Sequence, residues 1–158
     1  VDNGAIALDS ARHYLIKAER SVGQSATIHN LRDCEFDEAE TREEVQARFL
    51  EEAAGKVLVF HNAALDMAYL NKVSREVRNT PILMPVVDTL LQEKALLERR
   101  DIPIKSGDLR LQACRDRYNL PSFPAHNALL DALAPAELLI AMASHRSGGQ
   151  PFALGHLL

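Results

Sequence analysis

The stretch Val57-Leu58-Val59-Phe60 constrains the fold more than any other. It is a short continuous apolar run that begins just after Gly55, a residue suited to ending a helix. It ends at His61-Asn62, after which apolar residues return with helical spacing at Leu65, Ala68, Tyr69, Val73 and Val77. A short run that is apolar on both faces reads as a buried strand of a parallel sheet. Asn62 is placed to cap the helix that follows, which is expected to reach about Val77. Val86-Val87 is a second short strand, followed by Asp88-Thr89 and a helix to about Arg99. Strands alternating with helices point to an α/β fold.

The flanking segments complete this reading. Gly4 to Ile16 is expected to be a hairpin turn entering a strand, and Ser21 to Asp33 a loop with a short ordered segment. Asp37 to Ala54 reads as a helix, with Val45, Phe49 and Ala53 recurring on one face. Pro81 and Pro85 break the chain ahead of the second strand, and a loop holds Pro103 and Gly107. A helix is expected over about Asp108 to Tyr118. After Pro121 and Pro124, a last helix should run from about Asn127 to Ser144, kinked at Pro135. Residues 1–146 form one domain in this reading, and residues 147–158, which open on Ser147-Gly148-Gly149-Gln150, form a tail or linker.

The 158 residues suffice for one domain with a core. No apolar run approaches the roughly 18 residues of a membrane span. Cys34 and Cys114 form neither a CxxC pair nor a zinc spacing, and two free thiols fit a reducing cytoplasm. The net charge of −4 argues against a protein that coats duplex DNA with its whole surface. It is compatible with a carboxylate cluster that holds metal and grips a few terminal nucleotides. Lys94, Arg99, Arg100, Lys105, Arg110, Arg115 and Arg117 crowd one stretch, either as a solvated helix face or as a rim for a nucleic-acid backbone.

Two patterns carry chemistry. In the first, the strand Val57–Phe60 delivers His61-Asn62-Ala63-Ala64-Leu65-Asp66 to a sheet edge. Ligands gather at the carboxyl ends of strands in open α/β sheets, so Asp66 is a candidate metal ligand. The plainer reading is an acid that favours the positive end of its helix. The second pattern is His126-Asn127-Ala128-Leu129-Leu130-Asp131. On a continuous helix, His126 and Asp131 would point about 140° apart. They face one site only if His126 lies in the loop before the helix, and Pro121 and Pro124 favour that. A His there suits a general base acting on water beside a metal-binding Asp. The plainer reading is a surface His and an exposed Asp.

Taken together and in order, these patterns resemble the DEDDh family of 3′–5′ exonucleases, which includes proofreading subunits of bacterial replication. The resemblance covers about Ser25 to Ala143. It includes Ile28-His29-Asn30, where the family usually has Ile-His-Gly. It implies a ribonuclease H-like α/β fold, a mixed sheet flanked by helices. It also implies two Mg²⁺ or Mn²⁺ ions held by four acids. Asp66 matches the acid of the second motif, Asp131 that of the third, and His126 the general base. His29 and Asn62 match substrate-binding positions. The implied partners are the single-stranded 3′ end of DNA, or RNA, and a DNA polymerase, with no membrane.

The family's first motif, Asp-x-Glu on a central strand, has no match. Asp33-Cys34-Glu35 has the spacing but stands among polar residues. The expectation is that the N-terminal strands are missing here and that about 30–50 residues precede Val1 in the natural protein. The alternatives are a non-catalytic binding module lacking the first acidic motif and an exonuclease acting on RNA or oligoribonucleotides.

Overall fold

The computed structural model describes residues 1–17, 39–122 and 128–150, with Ala153 and Gly155. The first helix, α1, spans Arg42–Ala53. It begins later than the apolar spacing suggested, because Thr41 and Glu44 form a capping box. The Thr41 hydroxyl accepts from the Glu44 amide at 3.3 Å, and the Glu44 carboxylate accepts from the Thr41 amide at 2.9 Å. Two otherwise orphaned donors are thereby satisfied. Gly55, at φ 72°, ends the helical run as expected.

Strand β1 (Leu58–Phe60) leads into α2 (Ala63–Arg78), which crosses over to strand β2 (Val86–Asp88). The strands are parallel, with Leu58 opposite Val86 and Phe60 opposite Asp88. Both strands therefore end at the same level, and two helices start there side by side: α2, and α3 (Thr89–Arg99). Helix α4 (Leu111–Arg117) is shorter than the expected Asp108–Tyr118. The Asp108 carboxylate accepts instead from the Lys105 amide at 2.7 Å, and Gly107 sits at φ 93°, so a turn occupies that stretch. Helix α5 (Ala128–Ser147) runs through Pro135. Gly148 and Gly149, both at positive φ, end it, so the start of the expected linker is a helix stop.

The expected strand within Gly4–Ile16 does not form. Asp2 and Ala5 bridge across a turn, Leu8–Ser10 is a 3-10 turn, and Ile16 makes one isolated bridge to Glu40. Local polar chemistry wins over the alternation of apolar residues. The Ser10 hydroxyl donates to the Ala7 carbonyl at 2.8 Å, and Arg12 donates to the Asp9 carbonyl at 2.8 Å.

Helix α5 serves both halves of the core. Leu139 covers Val87, Val57 and Val59 of the strand region. Leu138 and Met142 pack on Cys114, with Leu111, Tyr118 and Leu120 around them. Each such side chain contributes roughly 1.5–3 kcal/mol on full burial. By length and composition alone, with a mean hydropathy of 1.3, α5 is also apolar enough to cross a membrane, although Asp131 and Glu137 interrupt its apolar run. Its packing on β1, α3 and α4 makes it a core helix.

One buried cation fastens α5 to its neighbours. Arg115 is 1% exposed. It donates to the Ala134 carbonyl at 2.8 Å and the Pro121 carbonyl at 2.9 Å, and it pairs with Glu137 at 2.8 Å. An interior proline deprives a helix of one hydrogen bond. The clamp therefore grips α5 at its weakest turn. Arg115→Ala is expected to lower stability by on the order of 3 kcal/mol, because charged hydrogen bonds to buried carbonyls are lost. Urea unfolding checks this as a lower midpoint at unchanged slope.

Candidate active site

The candidate site lies where β1 and β2 end. The Asp88 carboxylate organises it. One oxygen accepts from the Asn62 amide at 3.0 Å and the Leu90 amide at 2.9 Å; the other accepts from the Ala63 amide at 2.9 Å. A single side chain thus caps α3 and receives the first amides of α2. Two positive helix ends converge on one negative charge, which is favourable. Asn62 occupies the expected N-cap position of α2, but its side chain makes no capping bond. It sits at φ 68°, a conformation that Asn tolerates better than most residues. The sequence identified the junction, and the structure reassigns the cap to Asp88. The Asp88-Thr89 pair was visible as a helix start, but its reach to the other helix requires knowing the strand register.

His61 ties this junction to a third segment. Its Nδ1 lies 2.9 Å from the Thr89 hydroxyl, and its Nε2 lies 2.8 Å from the Leu109 carbonyl. A carbonyl only accepts, so Nε2 carries the proton. In the neutral ring, Nδ1 then accepts the Thr89 hydroxyl proton, for which the Phe60 carbonyl at 3.0 Å also competes. Burial pushes the His61 pKa down. The Leu109 carbonyl and the charges of Asp88 and Glu93 pull the other way.

Asp66 stands in the first turn of α2, as the spacing predicts. Its carboxyl is pushed above the usual range, first by partial burial. Its own backbone amide opposes this, and the Asp88 charge adds to it. Beside it opens a cleft of about 450 Å³, lined by Phe49, Phe60, Leu65, Asp66, Tyr69 and Leu70. Leu65 is 71% exposed and Tyr69 56% exposed, so the expected apolar face of α2 is not buried at this end. Tyr69, on the apolar face of α2, lines this cleft, while the buried positions of α2 are Ala63 and Ser74.

Asp131 lies exposed in the first turn of α5. His126 and His29 lie outside the described residues. Among the described residues, no group of three or more His, Cys, Asp or Glu side chains is close enough to hold a metal ion. The basic stretch divides. Arg115 is the buried clamp, Arg117 reaches Glu93 at 3.5 Å, and Lys94 reaches Glu98 at 3.8 Å. Arg99, Arg100, Lys105 and Arg110 remain exposed. The buried Glu93 also accepts from the Tyr118 hydroxyl at 2.9 Å, which joins α3 to the end of α4. Cys114 is a free, buried thiol, and burial pushes its pKa up to about 11.

A family model described as Exonuclease, of the RNase T type, matches residues 1–139. This chain belongs to the exonuclease family. Its motifs place it among the DEDDh-type members, with the ribonuclease H-like α/β fold. The chain is 29% identical over 143 residues to the DNA polymerase III subunit epsilon of Escherichia coli K12, covering 87% of this chain and 55% of that protein. It is 28% identical over 129 residues to a PolC-type DNA polymerase III of Thermotoga petrophila, covering 81% of this chain and 9% of that protein. This chain therefore spans about half the length of the epsilon relatives it matches, or less of larger ones. A solved structure of exonuclease X in complex with 5′ overhanging duplex DNA has the same fold. It shows a TM-score of 0.54 and 24% identity, covering 85% of this chain and 73% of that one.

The His61 shift has a definite sign in stability. Burial makes the folded ring harder to protonate than the unfolded chain, which takes up a proton near its ordinary value of about 6.5. The His61 contribution is constant above that value and is lost as pH falls below it. Thermal melts of wild type and His61→Gln, taken from about pH 7.5 down to about pH 5.5, are expected to converge. Parallel curves would contradict the assigned shift.

Proposed function

We propose that this chain belongs to a metal-dependent 3′–5′ exonuclease acting on the single-stranded 3′ end of DNA. The observation that carries this reading is the exonuclease family match over residues 1–139; the motif resemblance assigns Asp66 and Asp131 as acidic ligands. The donor chemistry fits Mg²⁺ or Mn²⁺, because both residues supply hard carboxylate oxygens. Asp66 in particular is held at a raised pKa by partial burial and a like charge, a penalty that a nearby cation offsets. A pair of such ions supplies charge neutralisation at the phosphate and orientation of the reacting oxygens.

In this reading Asp66 and Asp131 would hold the ions, and neutral His126 would accept the proton of the attacking water. Asn62, whose side chain is not used in capping, is free to donate to the substrate. His29 is assigned the same task. The exposed Arg99, Arg100, Lys105 and Arg110 are left to neutralise backbone phosphates further from the cut. The names of the relatives, subunits or types of DNA polymerase III, favour work alongside a polymerase.

The test is a 5′-labelled single-stranded DNA oligonucleotide and its RNA counterpart, incubated with the full gene product and Mg²⁺. Stepwise shortening from the 3′ end of the DNA is expected. His126→Ala, Asp131→Ala and Asp66→Ala should each lower turnover by roughly 10²-fold or more. Their melting temperatures should stay close to wild type, since Asp66 and Asp131 lie at exposed positions. Wild-type turnover in any of the three removes that residue's role. Degradation of RNA alone moves the substrate class, and a protein inactive on both strands is a binding module.

A further inference from the structure

The Asp88 carboxylate does more than begin a helix. A cap for α3 needs only its bond to the Leu90 amide. The other two bonds, to Asn62 and Ala63, fix the left-handed turn at Asn62 and the first turn of α2. Asp66 stands in that same turn. The Phe60 carbonyl and the His61 ring are tied to Thr89, the next residue, so the whole exit of β1 is registered on the exit of β2. All three amides already have the carboxylate as acceptor, so Asp88 is spent on backbone. It is also the charge that presses on the Asp66 carboxyl.

We infer that Asp88 is a positioning residue for the nuclease site: it sets the placement of Asp66 by holding the first turn of α2 against the start of α3. The inference rests on the exonuclease reading above. Asp88 touches neither substrate nor metal in this assignment, and it acts only through Asp66. Reacting constellations tolerate about 0.5 Å of misplacement, so loosening this turn is expected to affect turnover and metal use before it affects DNA binding.

Two substitutions separate its roles. Asp88→Ser keeps a short acceptor for the Leu90 amide but does not reach Asn62 or Ala63. Asp88→Asn keeps the shape but turns one oxygen into a donor facing an amide donor. Thr41→Ala, which removes the capping box of α1 at the end that pairs with Glu76 near the C-terminus of α2, is the stability control. Each is compared with wild type and Asp66→Ala in the full gene product, on a single-stranded DNA oligonucleotide across a Mg²⁺ titration. The expected result for both Asp88 variants is a kcat lower by about 10–100-fold and a higher half-saturating Mg²⁺, with KM for the oligonucleotide within about twofold. Thr41→Ala should keep wild-type kcat and Mg²⁺ dependence despite a lowered Tm. If one Asp88 variant fails to fold, the other carries the test.

Wild-type kcat and Mg²⁺ dependence in a folded Asp88 variant overturn the positioning role and leave the exonuclease reading intact, provided Asp66→Ala is inactive. An equal loss in Thr41→Ala also overturns it, since general stability then explains the effect. An inactive wild type, or an active Asp66→Ala, overturns both.

Discussion

Two parallel strands of three residues each do not hold themselves together in water. Their ladder is short, and an isolated pair of strands is marginal even when antiparallel. What makes them a platform is the carboxylate at the end of the second strand, which draws three amides from two helix starts onto itself. The register places Phe60 opposite Asp88, so this convergence follows directly from the pairing. The strands, the two helices and the candidate acid then form one unit. The buried face of α5 closes it from one side.

Most of this framework was legible in the sequence. The run Val57–Phe60, the stop at Gly55 and the helix start at Asp88-Thr89 are local signals, each set by a few adjacent residues. The family motif at His61–Asp66 is local too, which is why Asp66 falls where its spacing indicated. The misses are of another kind. Asn62 reads as a cap because Asn commonly is one; only the neighbouring strand shows that a carboxylate has taken that place. Tyr69 and Leu65 read as core because they lie on an apolar stripe, yet they line a cleft. A stripe reports that a face is apolar, not that something covers it. The strand expected before Ile16 failed for the opposite reason, because side chains of Ser10 and Arg12 bonded their own backbone.

The basic stretch illustrates the same limit for charge. Composition counts Arg115 and Arg117 with their exposed neighbours, but one is enclosed beneath α5 and the other is turned toward a buried glutamate. Charge clusters in sequence become electrostatic surfaces only after burial has removed some of their members. The remaining exposed cations are fewer and lie toward the loop between α3 and α4, beside the segment whose Leu109 carbonyl holds His61.

The arrangement of the core also has a consequence for the order of folding. Leu138, Leu139 and Met142 belong to the last helix, yet they complete the cover of strands and helices made much earlier in the chain. Contacts so distant in sequence are slow to close, because the intervening loop must first lose its freedom. During synthesis, Val57, Val59 and Val87 emerge well before Leu139, which packs on them. The parallel pair therefore spends its first moments as an apolar, partly open edge. Its vulnerability to wrong partners is a matter of timing, and the proline-containing helix that ends this wait is the keel of the core and the latest-made of its described helices.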